Sequence, residues 1–150
     1  MREIHNLPEL KALIGQEVAT SDWVEISQQR INTFADATDD HQWLHVDVER
    51  AKRESPFGGP IAHGFLTLSL LPMLMENAIK MTDVNMGVNY GLNKVRFPAP
   101  VLVGSKLRAR FTLLEVEDIT GGAQMIFEII IEREGSDKPV CVAESIMRRY

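Results

Sequence analysis

The chain of 150 residues has a single cysteine, Cys141. An internal disulfide is therefore excluded, and no part of the fold rests on a covalent staple. A lone thiol in an apolar, strand-like stretch fits a reducing compartment. Long hydrophobic runs are missing as well. The nearest, Gly64–Met75, contains Pro72 and falls short of the roughly 18 uncharged apolar residues expected of a membrane span. The N-terminal Met1-Arg2-Glu3-Ile4-His5-Asn6 has no apolar signal core. Together these absences predict a soluble, cytoplasmic protein with no membrane partner. There is no excess of cations either. A net charge of −5 argues against non-specific nucleic-acid binding. Repeats, low-complexity tracts and linkers are absent, so residues 1–150 are read as one domain by size. The hydrophobic fraction of 45% and charged fraction of 25% are those of an ordinary globular chain.

What is present is a short run of chemistry-bearing residues, Asp40-His41-Gln42-Trp43-Leu44-His45. His63-Gly64 follows eighteen residues later, at the head of an apolar run. A carboxylate and an imidazole five positions apart do not meet in regular structure. On a helix they are about 140° apart, and on a strand they face opposite ways. Asp40 and His45 converge only if the chain turns between them. Upstream, Ser27 reads as a helix N-cap, with Ile26 and Ile31 as a hydrophobic staple. Ile31, Phe34 and Ala35 recur at helical spacing, so this helix ends near Ala37–Asp39. Asp47 caps a second short helix at Val48–Arg53. The pair is thus expected on a loop between two helices, the kind of segment that carries function.

An acid/base pair beside a glycine-led helix start suits chemistry at the carbon next to a carbonyl. Such chemistry needs a group to move protons and a group to hold an oxyanion. Plainer alternatives stand beside this reading. Asp40 can simply end a helix or be solvated next to Asp39, and His45 can be a packed histidine near Trp43. His41 and His45 also have an H-x3-H spacing with Asp40 and Asp47 nearby. Gln42, however, occupies the place where metalloprotease zinc motifs carry a glutamate. No metal and no cofactor are expected.

The rest of the chain divides into a helical first half and a strand-rich second half. Leu7–Leu13 reads as a short helix and Glu17–Ile26 as a first strand. Ile61 to Ile79 is helical in pattern but apolar on nearly every side, which predicts a buried helix, kinked at Pro72. Strands follow at Met86–Phe97, Ser105–Glu117, Ala123–Glu134 and Val140–Arg149, with Gly121-Gly122 and Gly135–Pro139 as turns. In Ser105–Glu117, Leu107, Ala109, Phe111 and Leu113 alternate with Lys106, Arg108 and Arg110. One buried helix and a run of antiparallel strands predict an α+β layer fold, a sheet curled around the helix.

Three segments carry a resemblance. Asp40-His41-Gln42-Trp43-Leu44-His45, with its approach Phe34–Asp40, is the first. Gly59-Pro60-Ile61-Ala62-His63-Gly64-Phe65 is the second, and Lys94-Val95-Arg96-Phe97-Pro98-Ala99-Pro100-Val101 the third. Together they resemble the MaoC-type dehydratases, the (R)-specific enoyl-CoA hydratases of hot-dog fold, over about residues 20–149. Many members have Asn-Pro where this chain has Gln42-Trp43, and the Gln-Trp form is most similar to the branch named after nodulation protein N. The bulk of Trp43 bears on the pocket mouth.

The resemblance implies an enzyme that adds water to a trans-2-enoyl thioester, or runs the reverse. Asp40 and His45 would hold the water and transfer the protons, and the backbone N–H of Gly64 would receive the enolate oxygen. It implies supporting roles for Gln42, His63 and Ser69. His63 would either touch the ligand or cap or orient the loop, and Ser69 would either act as a donor behind the site or bond back to the carbonyl of Phe65. The acyl carrier would be coenzyme A or acyl carrier protein, and the assembly a homodimer. Lys94, Arg96, Lys106, Arg108 and Arg110 either supply a basic patch for coenzyme A or form a solvated sheet face. A thioesterase on the same fold and a non-catalytic acyl-thioester-binding domain are the alternatives.

Overall fold

The computed structural model describes residues 1–150. The chain opens with β1 (Arg2–Ile4), α1 (Leu7–Lys11), β2 (Glu17–Thr20) and β3 (Val24–Glu25). A helical stretch follows: α2 (Gln28–Thr38), α3 (Trp43–Val46), α4 (Val48–Glu54), α5 (Gly64–Ser69) and α6 (Leu71–Ala78). It closes with β4 (Ile79–Met81), β5 (Gly87–Arg96), β6 (Lys106–Ile119), β7 (Gly122–Arg133) and β8 (Cys141–Arg149). Six strands form one antiparallel sheet in the order β2-β6-β7-β8-β5, with β3 pairing β6. This is the hot-dog arrangement, with the helical segment α5–α6 laid on the sheet.

The sheet core follows from the period-2 pattern of β6. Leu107, Ala109, Phe111 and Leu113 are all fully buried. The register aligns Phe111 with Ile129 of β7, and Ile129 with Ala143 of β8, giving a continuous apolar row across three strands. On the other face Arg110 forks onto Glu17, and Arg108 pairs with Glu132 while stacking on Trp23. These arginines are neutralised on the sheet surface, so the solvated-face reading holds for them. The β6–β7 turn requires glycine twice over. Gly121 has φ of 80°, and a Cβ on Gly122 would lie 1.9 Å from the carbonyl oxygen of Arg149. Cys141 is fully buried at the start of β8, and burial pushes its thiol up to about 11.

The first strand is interrupted. Ser21 separates β2 from β3, and its hydroxyl accepts the N–H of Ala109. The pair β1–β4 is parallel and lies outside the main sheet. Three-residue strands are too short to show a period, which is why the sequence pattern gives no sign of them.

The central helix differs from expectation in two ways. It is two helices rather than one kinked rod, and Pro72 sits in the first turn of α6. There its missing N–H removes no hydrogen bond, so it starts a helix instead of bending one. It is also not buried all round. Leu66, Thr67, Leu70, Leu74, Met75 and Ala78 face the core, but Phe65 is 69% exposed and Ser69 and Pro72 lie outside. The outward side faces β5, an edge strand whose apolar Val88, Tyr90 and Leu92 are exposed. Two irregularities in its pairing with β8 bracket Tyr90 and Asn93. No helix is long and apolar enough to cross a membrane.

Phe111→Ala empties the centre of the three-strand row. We expect it to lower the unfolding free energy by about 3–5 kcal/mol, read as a shifted midpoint in urea.

Candidate active site

The turn that Asp40 and His45 require begins at the end of α2. Asp39 closes that helix with φ of 57°, the only non-glycine residue with positive φ. An aspartate tolerates this left-handed geometry better than most residues. Asp40, His41 and Gln42 then run as loop, and α3 begins at Trp43. His45 therefore stands on a one-turn helix rather than on the loop itself. Gln42 precedes α3, its N–H reaching Asp40 Oδ1 at 3.4 Å and its carbonyl accepting from the His45 N–H. Asp47 caps α4 through the N–H of Arg50, so both flanks of the segment are pinned.

Two reciprocal bonds tie this segment to the one before α5. His45 Nδ1 lies 2.7 Å from the carbonyl oxygen of Ile61. His63 Nε2 lies 3.0 Å from the carbonyl oxygen of Asp40. Because carbonyls only accept, each ring must carry its proton on that nitrogen. Neutral His45 is thus the Nδ1–H tautomer with a bare Nε2, and His63 carries a proton on Nε2. The Ile61 N–H closes the stitch on the Leu44 carbonyl. The imidazoles of His45 and His63 stack with centroids 3.8 Å apart and planes at 23°. Phe34 of α2 packs at a tilt against His63, 5.0 Å away. From the same helix, Gln28 donates to the His45 carbonyl at 2.8 Å.

This setting has an electrostatic consequence. Burial lowers the proton affinity of His45 below that of an ordinary histidine, and His63 adds to the effect. The Ile61 carbonyl and the Asp40 carboxylate oppose it without reversing it. His45 is therefore a neutral base at neutral pH. The Asp40 carboxylate is half exposed, with Oδ2 3.9 Å from His63 Nε2. Asp40, His45 and His63 bring one ligand-type atom each within 4.8 Å of the others. His41, the other half of the H-x3-H spacing, turns away to Asp36 at 2.8 Å.

The family model described as "MaoC like domain" matches residues 9–133. The chain belongs to the MaoC-like domain family. It is 54% identical to 3-hydroxyacyl-thioester dehydratase Z of Mycobacterium tuberculosis (strain ATCC 25618 / H37Rv), over 99% of this chain and 98% of that one. It is 45% identical to nodulation protein N of Rhizobium leguminosarum bv. viciae, over 94% and 89%. An (R)-hydratase from A. caviae superposes with a TM-score of 0.69 at 22% identity, covering 89% of this chain and 94% of that one, a likeness of fold.

Within this MaoC-like chain, the expected site residues separate into two groups. Asp40, His45 and His63 come together, and Gly64 follows His63 directly as the first residue of α5. Gly64 also packs closely: a Cβ there would lie 3.1 Å from the Phe97 ring. His63 precedes α5 without a side-chain cap bond, and orients the Asp40 loop instead. The Gln42 amide makes no hydrogen bond, so any support it gives runs through its backbone. Ser69 bonds back to the Phe65 carbonyl at 2.6 Å and lines a separate cavity of about 370 Å³ between α5–α6 and β5–β8. Gln28 and Phe34 were not expected at the site. Their partners lie 17 and 29 positions away in sequence, and no local pattern signals such a pairing.

The lowered affinity of His45 has a sign that stability measurements can read. Between its folded midpoint and the ordinary 6.5, the unfolded chain binds the extra proton. Unfolding free energy should then rise with pH across that window and be lost as pH falls through it. His45→Gln should flatten this slope in urea unfolding series at stepped pH.

Proposed function

We propose that this protein is an (R)-specific enoyl-thioester hydratase/dehydratase, working as a single catalytic domain. The observation that carries the reading is the neutral imidazole of His45 near the Asp40 carboxylate, stacked on the His63 that precedes Gly64. Support comes also from the 54% identical relative, whose name is 3-hydroxyacyl-thioester dehydratase Z.

In the hydration direction, a water held by Asp40 and His45 attacks the β-carbon of a trans-2-enoyl thioester. Its proton passes to the pair as the new C–O bond forms. The carbonyl oxygen takes up the electron pair as an enolate, and the pair returns a proton to the α-carbon. Water is added with no net proton change, and delivery from one side gives syn addition. The N–H of Gly64 leads α5 and has no intrahelical partner. It is our donor to the enolate oxygen, and one such donor contributes about 3–4 kcal/mol to the transition state. Glycine leaves the approach to that N–H free of a Cβ. The carrier is coenzyme A or acyl carrier protein. Lys94 and Arg96 form no salt bridge and remain available for its phosphates, unlike the paired Arg108 and Arg110.

The assembly we propose is a homodimer joined along β5. An edge strand offers unpaired backbone groups, and this one adds exposed Val88, Tyr90 and Leu92, while exposed Phe65 of α5 meets Phe97 just past its end. Leu92→Lys should give a monomer in sedimentation analysis, with helix and sheet content retained.

The decisive assay is loss of the enoyl-thioester absorbance of crotonyl-CoA, and of longer enoyl chains, with chiral analysis of the product. Asp40→Asn and His45→Gln keep size and remove acid/base capacity, so each should lower kcat by about 10² or more. Full activity in either variant would remove that residue from the mechanism. Release of free thiol in place of hydration would replace this reading with a thioesterase.

A further inference from the structure

His63 is engaged more fully than a loop anchor needs to be. It is 3% exposed, stacked flat on His45 and backed by Phe34. One nitrogen is committed to the Asp40 carbonyl. The other, Nδ1, is buried with no partner. We propose that His63 is a positioning residue whose flat, buried ring fixes the ring plane of His45 and shields one face of it from water. This inference rests on the hydratase reading for its catalytic meaning, but its physical content concerns His45 alone.

The two imidazoles stack at 3.8 Å, which leaves no room for water between them. An imidazolium at His45 would lose the hydration of that face, so the stack disfavours its protonation. Phe34 packs against His63 and holds the stacked ring in place. The tautomers reinforce this. The Ile61 carbonyl fixes the proton of His45 on Nδ1, and the stack fixes the ring that carries it. His45 Nε2 then stays unprotonated and keeps one direction, as a general base must.

The other groups around His45 do not supply this. Asp40, on the preceding loop, favours the charged form and opposes it. Gln28 and Phe34 of α2 are uncharged, and the segment leading to α5 adds the Ile61 carbonyl and His63 itself. Burial is the largest influence toward a neutral His45, and the ring of His63 supplies one face of that burial.

Two substitutions separate the roles of the ring and of its N–H. His63→Phe keeps a flat, uncharged ring between Phe34 and His45 but cannot donate to Asp40. His63→Gln supplies an amide donor toward the Asp40 carbonyl but removes the stacked face. The measurement is the NMR titration of His45 in the full chain, which needs no substrate and no activity. The midpoint should stay below 6.5 in wild type and in His63→Phe, and rise toward 6.5 in His63→Gln. The acid limb of the hydration rate should move with it, while kcat falls in both variants, by up to about 10²-fold where the catalytic geometry loosens by an ångström. An unchanged His45 midpoint in folded His63→Gln would overturn the proposal, as would an equal rise in His63→Phe. Absence of hydratase activity in wild type would overturn the functional reading and leave the His45 titration to decide this one.

Discussion

The candidate site depends on one exchange of hydrogen bonds between two loops. His45 donates to Ile61, and His63 donates to Asp40, so each segment supplies a ring to the other's backbone. Neither segment gains much from the sheet. Ile61 forms an isolated bridge to Leu102, and the Asp40 loop pairs with no strand. Without the exchange, Asp40 would be a solvated carboxylate at the end of a helix, the plain alternative that its sequence position permits. With it, a carboxylate, a neutral imidazole and the start of α5 share one small volume.

The sheet contributes rigidity at a distance. The buried row of Phe111, Ile129 and Ala143 fixes the floor on which α6 packs, and α6 continues from α5, which begins at Gly64. Side chains in such a core sit at crystal-like density, so small shifts are resisted. The exchange of bonds therefore hangs from a fixed point on one side, and on the other from α2, through Gln28 and Phe34. A site held from two independent elements keeps its geometry better than one carried by a loop alone.

Much of this was readable in the sequence, and the gaps have definite causes. Ser27 and Asp47 cap their helices through Arg30 and Arg50, because an oxygen-bearing side chain ahead of an apolar-periodic run has few other uses. The β6 alternation located its buried face residue by residue, since period 2 has only two phases. Pro72 misled because a proline marks a helix start and a helix kink alike, and only the geometry at Leu70 distinguishes them. The pattern around α5 read as buried on all sides because Phe65 is apolar yet exposed, and hydrophobicity alone does not say whether a residue meets its own chain or another. His63 was legible as a neighbour of the site, but its stack on His45 was not: contact across eighteen residues of loop and helix leaves no periodic trace.

The burial of Cys141 has a practical side. Its thiol is sealed from solvent and ionises only near 11, and the thiolate is the form that attacks. Aromatic disulfide reagents used to count liberated coenzyme A would therefore meet a protein that is chemically silent toward them. Colour developing in such a reaction would report the substrate's sulfur and not the enzyme's. By the same property, a cysteine placed on the surface would be the single reactive handle on each chain, open to one label at one known position.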